Sequence, residues 1–161
     1  SDLKYVNRPV SSLQESNELR KRIHDAEAVA FQISFRKTVK AGNNSIENVS
    51  VSGVSHDYSK INSIDIADGR YFTEVESGAG VNVCLLGYNV ANGLFGQFVD
   101  PVSNTIKISG QQLKVIGVFN KQGEDLFGNS TDDKILLPVN YVAKLVDLRN
   151  ENLDQIGRAH V

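Results

Sequence analysis

One cysteine in 161 residues leaves no way to form an internal disulfide. That residue, Cys84, lies in Val83-Cys84-Leu85-Leu86, which reads as a buried strand, so its thiol is expected to pack in the core rather than react. Long apolar runs are missing as well. The longest, such as Val115-Ile116-Gly117-Val118-Phe119, fall far short of the roughly 18 residues that a membrane-crossing helix needs. Positive charge is thin: 17 Lys and Arg are dispersed among 19 Asp and Glu, a net charge of -2, which gives no basis for nucleic-acid binding. The one dense cluster, Arg20-Lys21-Arg22, reads as a solvated helix end. There is no initiator Met and no charged-then-apolar leader. The opening Ser1-Asp2-Leu3-Lys4 is therefore expected to be an interior point of a longer protein.

The residue sets that carry chemistry are also wanting. His24 and His56 lie far apart, and neither has a second His or Cys at ligand spacing. The acidic pairs Glu124-Asp125 and Asp132-Asp133 lack calcium-loop periodicity and are expected to be solvated surface. Serines are plentiful, but no Gly-x-Ser-x-Gly elbow occurs. Gly78-Ala79-Gly80 and Gly87 form neither a GxGxxG nor a Walker loop. No cofactor, metal or catalytic residue is expected. Three matches to the glycosylation sequon, at Asn43, Asn48 and Asn129, are short enough to arise by chance.

What is present suits an ordinary globular core: 40% hydrophobic and 22% charged residues. Ser12-Leu13-Gln14-Glu15 has capping-box spacing and predicts a helix to about Ile23. Val29, Phe31, Ile33 and Phe35 alternate with Ala30, Gln32, Ser34 and Arg36, a half-buried strand with its polar face outward. Ala41-Gly42-Asn43-Asn44 turns it into a returning strand, Ile46 to Val54. A helical turn at His56 to Ile61 follows, then a tight turn at Asp68-Gly69-Arg70 and a loop from Glu74 to Gly80. Val81 to Leu86 reads as a strand, and Asn89 to Phe95 as a short helix whose Gly93 implies a packing constraint. Thr105 to Ser109 and Leu113 to Phe119 form a hairpin. A polar loop from Gln122 to Asp133 leads to a strand at Lys134 to Leu137, and Pro138 starts a helix. Hairpins mixed with helices predict an α+β fold of mixed and antiparallel sheets with short helices, in two lobes with one inserted into the other.

At the far end, Ile156 to Val161 abandons the preceding pattern. ATC GGA AGA GCA CAC GTC would encode these residues and resembles the start of a common sequencing adapter. They are expected to be read-through, and His160 receives no functional weight. Different synonymous codons in the source DNA would contradict this.

Between Gly69 and Val118 several short motifs keep a fixed order. They are Gly69-Arg70-Tyr71-Phe72-Thr73, Val83-Cys84-Leu85-Leu86-Gly87, Leu94-Phe95-Gly96, Asp100-Pro101-Val102 and Val115-Ile116-Gly117-Val118, with Pro138 after a final apolar strand. This set resembles the extracytoplasmic core domain of MacB-type ABC transporter permeases. Ser103 departs from it, standing where the family usually has Gly. The roles expected of these residues are structural: Gly69 permits a bend, Phe72 anchors in the core, and Arg70 reaches a carboxylate or carbonyl across the lobe. Gly87, Leu94, Phe95, Gly96, Asp100, Pro101, Gly117 and Pro138 complete that structural set.

The resemblance implies residues 1–66 as the first part of an outer lobe, 67–133 as an inserted lobe and 134–155 as a truncated return. It implies a bacterial inner-membrane parent with one transmembrane helix before this domain and three after it. That parent would work as a permease homodimer with a cytoplasmic ATP-binding subunit or domain and a possible periplasmic adaptor. The domain would lie on the periplasmic side and couple ATP hydrolysis to export by mechanotransmission. A rival reading is a regulatory module that activates a cell-wall hydrolase or sensor; a soluble enzyme is a third.

Overall fold

The computed structural model describes residues 4–7, 17–18, 21, 31–124 and 130–146. The predicted helix from Ser12 to Ile23 falls largely outside them, although residues 17, 18 and 21 are helical. The start of the strand at Val29 and the segment 156–161 also lie outside. Among the described residues eight strands share one mixed sheet. They are β1 (Lys4–Asn7), β2 (Phe31–Ala41), β3 (Asn44–Val54), β4 (Ile66–Gly69), β5 (Val83–Leu86), β6 (Thr105–Ile108), β7 (Gln111–Phe119) and β8 (Lys134–Pro138). Three short helices, α1 (Tyr58–Ile61), α2 (Glu74–Ala79) and α3 (Tyr88–Phe95), and a helical stretch at 139–146 complete an α+β fold.

The sheet runs β1-β2-β3-β8-β5-β7-β4. Strand β6 pairs with β2 through Val39↔Ile108 and with β7 through Ile106↔Leu113, so it closes six strands into a ring at one end. Closure removes exposed edges there. Strands β1 and β4 extend from β2 and β7 at the other end. The β6–β7 hairpin turns on Ser109 (φ 51°) and Gly110 (φ 77°), the paired positive dihedrals that match the twist of adjoining strands.

Alternation along the central strands sorts side chains into two cores. Ile135 and Leu137, Cys84 and Leu86, and Val115 enter one core with α3 and the stretch 139–146. Leu136, Leu85 and Ile116 enter the other with Phe72, Phe119 and Val54. Both faces are covered, which is why β5, the end of β7 and β8 are unbroken apolar runs. In α3, Val90, Ala91 and Leu94 face the first core. A Cβ on Gly93 would lie 2.6 Å from Ile46 Cδ1, the packing constraint expected at that position.

Four expectations require correction. Residues 74–79 are helical, not a loop: Thr73 caps α2, its Oγ1 accepting from Glu76 N at 3.1 Å while Glu76 Oε1 accepts from Thr73 N at 2.9 Å. Asp68-Gly69 is not a tight turn but the end of β4, where the register against β7 slips between Ile66 and Asp68. Gln32 does not face outward. It is buried on the sheet and donates to Ser52 Oγ at 3.1 Å. Asp132 is likewise buried, 2% exposed, because its carboxylate accepts from Gln122 N (2.8 Å) and Gly123 N (2.9 Å). These charge-assisted bonds tie Gln122 and Gly123 to the residues just before β8.

Candidate functional site

The motifs meet around β7. Gly69 pairs directly with Gly117 across the β4–β7 ladder. Gly69 has φ 81°, and a Cβ there would strike Ile116 O and come within 2.8 Å of Gly117 Cα. A Cβ on Gly117 would meet Arg70 O and Leu85 Cδ2 at 2.6 Å each. Two facing glycines therefore let the strands approach and bulge, and Arg70 N donates to Ile116 O at 3.0 Å.

This bulge aims the next three residues. The Arg70 guanidinium closes a fork on Glu76, with Nη1 donating to Oε1 at 2.7 Å and Nη2 to Oε2 at 2.9 Å. Nη1 also donates to Tyr71 O at 3.2 Å. The arginine's carboxylate and carbonyl partners are local, on its own turn and the adjoining helix rather than across the lobe. Its fork holds the Glu76 carboxyl down at about 2, helped by Thr73. Phe72 enters the second core, 4% exposed, with the Tyr71 ring edge-on at 5.0 Å. Burial raises the Tyr71 hydroxyl above its ordinary value.

Leu94 is buried, Phe95 half-buried, and Gly96 caps α3 with φ 70°. The chain then reaches Asp100, whose Oδ1 accepts from Val102 N at 3.0 Å, an Asx turn around Pro101. Ser103 N donates to Val115 O at 2.8 Å and Val115 N to Asn104 O at 2.9 Å, docking this turn on β7. Ser103 has φ 76°, in the left-handed region that favours glycine. Asp100 also meets Asp68: a hydrogen bond between the two carboxyls, and their like charge, raise Asp68 above its ordinary value. Gly87 and Pro138 stand apart at opposite ends of β8. Gly87 N donates to Lys134 O at 2.8 Å, and Pro138 pairs with Val54 before the stretch 139–146 begins.

Sequence reasoning missed Thr73, Glu76 and Asp68 as partners of the motif residues. Thr73-x-x-Glu76 is a capping box in plain view; the contact between Asp68 and Asp100 has no local signal. The assembled residues brace a strand junction and present no nucleophile with a base. Cys84 is fully buried, and burial pushes its thiol up. Among the described residues no group of three or more His, Cys, Asp or Glu could hold a metal.

A family model described as the MacB-like periplasmic core domain matches residues 5–157. The pyoverdine export ATP-binding/permease protein PvdT of Pseudomonas aeruginosa is 33% identical over 55% of this chain and 13% of its own length. The macrolide export ATP-binding/permease protein MacB of Bdellovibrio bacteriovorus is 31% identical over 79% of this chain and 21% of its own length. The chain thus spans about a fifth or less of these curated relatives. Among solved structures, the extracellular domain of the noncanonic ABC-type transporter YknZ from Gram-positive bacteria has a TM-score of 0.62 at 21% identity, covering 79% of this chain and 64% of that one. The periplasmic region of MacB from Actinobacillus actinomycetemcomitans has a TM-score of 0.57 at 18% identity, covering 67% and 46%. These two likenesses show the fold.

Proposed function

The chain belongs to the family of MacB-like periplasmic core domains, and on that premise we propose that it is the extracytoplasmic part of an ABC exporter permease that transmits ATP-driven motion to its cargo. The observation that carries the reading is the family match over residues 5–157, nearly the whole chain. Relatives named as export ATP-binding/permease proteins support the exporter setting. No helix among the described residues is long and apolar enough to cross a membrane, so the proposal assigns the spans of the inner-membrane parent to other segments. A permease homodimer, a cytoplasmic ATP-binding subunit or domain, and a periplasmic adaptor belong to the same proposal.

Mechanotransmission asks for a body that moves without deforming. The ring closed by β6, the facing Gly69 and Gly117, and the Arg70–Glu76 fork supply such bracing. The proposed division at about residues 67 and 133 is supported by β8, which returns to lie parallel beside β3. The test uses the parent permease with its ATP-binding partner in lipid nanodiscs, spin-labelled at Gln97→Cys in each protomer. Gln97 is exposed, and native Cys84 is buried. The distance between labels should differ between nucleotide-free and ATP-trapped states. An unchanged distance contradicts mechanotransmission. Motion without transport of any exported compound would instead favour the regulatory reading.

A further inference from the structure

The mouth between β2, the β6–β7 turn and the stretch 139–146 holds a hollow of about 300 Å³, the lower end of the size range of small-molecule sites. Its walls are apolar, drawn from Phe35, Ile108, Leu113, Tyr141 and Leu145. The helical stretch is held close at one end. A Cβ on Gly53 would lie 2.9 Å from Val142 Cγ2 and 3.4 Å from Val139 Cα. Leu145 and Val146, further along, line the opening.

Among the described residues the rim has one sign of charge: Arg36 and Lys37 both line the hollow and are exposed, and no described lining residue is acidic. Arg36 Nη1 donates to Asn48 O at 3.1 Å, and among the described residues neither cation meets a carboxylate. Lys40 and Lys107 stand paired across β2 and β6, adding charge of the same sign to those strands. A larger hollow of about 490 Å³ on the other face carries both Glu124 and Lys134 among amide and hydroxyl side chains, and so expresses no charge preference.

From this we infer that the mouth is a binding site for a small amphiphilic anion, with an apolar body filling the hollow and one anionic head group against Arg36 and Lys37. Filling removes apolar wall from water, and the head gains charge-assisted contacts at the rim. A cationic amphiphile meets repulsion from the same two side chains, and a neutral one leaves them unused. The inference is independent of the transporter reading.

The test is calorimetric titration of the 161-residue chain with decanoate and decyltrimethylammonium, each below its micellar concentration, and with decanol below its solubility limit. Decanoate should bind about tenfold or more tighter than decanol, and the cation should not bind. Lys37→Glu should weaken decanoate about tenfold, whereas Lys121→Glu, an equal change of net charge outside the hollow, should not. Leu145→Trp should block the site, with thermal melts confirming that each variant is folded. Absence of decanoate binding, equal binding of decanol, or equal effects of Lys37→Glu and Lys121→Glu would overturn the assignment.

Discussion

Arg70 and Asp68 flank Gly69, and two carboxyls there, Glu76 on the Arg70 fork and Asp68 itself, respond to pH in opposite senses. Glu76 is held down at about 2 by the Arg70 fork. Its contribution to stability is therefore present above the ordinary 4.5 and is lost as pH falls toward about 2. Asp68 is raised from 3.8 by its contact with Asp100. The favourable part of that contact is present below 3.8 and fades as pH rises through the raised value. Arg70→Ala should lower stability at pH 7 by up to about 1 kcal/mol, since the arginine is half exposed and water screens the pair. It should also flatten the acid limb of a melting-temperature profile between pH 5 and pH 2, the range in which Glu76 titrates. Asp68→Asn should raise the melting temperature at pH 7, which the same scan reads. Ser103 pays a conformational penalty at φ 76°. Ser103→Gly should stabilise the fold by about 0.5 kcal/mol, the relief of left-handed strain less the added freedom of the unfolded chain. A denaturant titration would measure it.

At the scale of elements, β4 is held by its bulge and its anchor. Phe72→Ala should cost about 3 kcal/mol, because the ring is 4% exposed among Leu85, Ile116 and Phe119. Gly117→Ala should cost about 2 kcal/mol or more, because the added methyl meets the Arg70 carbonyl with no room to move. Chemical denaturation checks both, and a loss below 1 kcal/mol at either would move the motif from bracing to contact. Much of this element structure was legible in the sequence. The β2–β3 and β6–β7 hairpins announced themselves by alternation and by Gly and Asn at the turns. Others were not, for physical reasons. Gly69 signals a turn and a bulge equally, and only its partner Gly117 on β7 decides. The run Glu74 to Gly80 reads as loop from its polar and glycine content alone, which leaves the Thr73–Glu76 capping box out of account. Alternation correctly paired Gln32 with Ser34 on one face, but the sheet is covered on both faces, so that face carries buried polar contacts. Asp132 reads as surface in the sequence because nothing local marks a carboxylate that collects amides from Gln122 and Gly123.

For the whole molecule, the order of motifs from Gly69 to Pro138 named the fold more surely than any single motif, since each is weak alone. The structure gives that order a reason: the motifs converge on β7 or mark the ends of β8, where strands from distant parts of the chain must register. The motif residues themselves were legible in the sequence, and a structural role remains what is proposed for them, while their pairings, Arg70 with Glu76 and Asp68 with Asp100, were not. The membrane setting rests on the family and is open to a direct check. Sequencing outward from both ends of the source DNA should find one apolar span of about 20 residues upstream, three downstream and a nearby ATP-binding domain. Stop codons on both sides with no membrane spans would contradict the account.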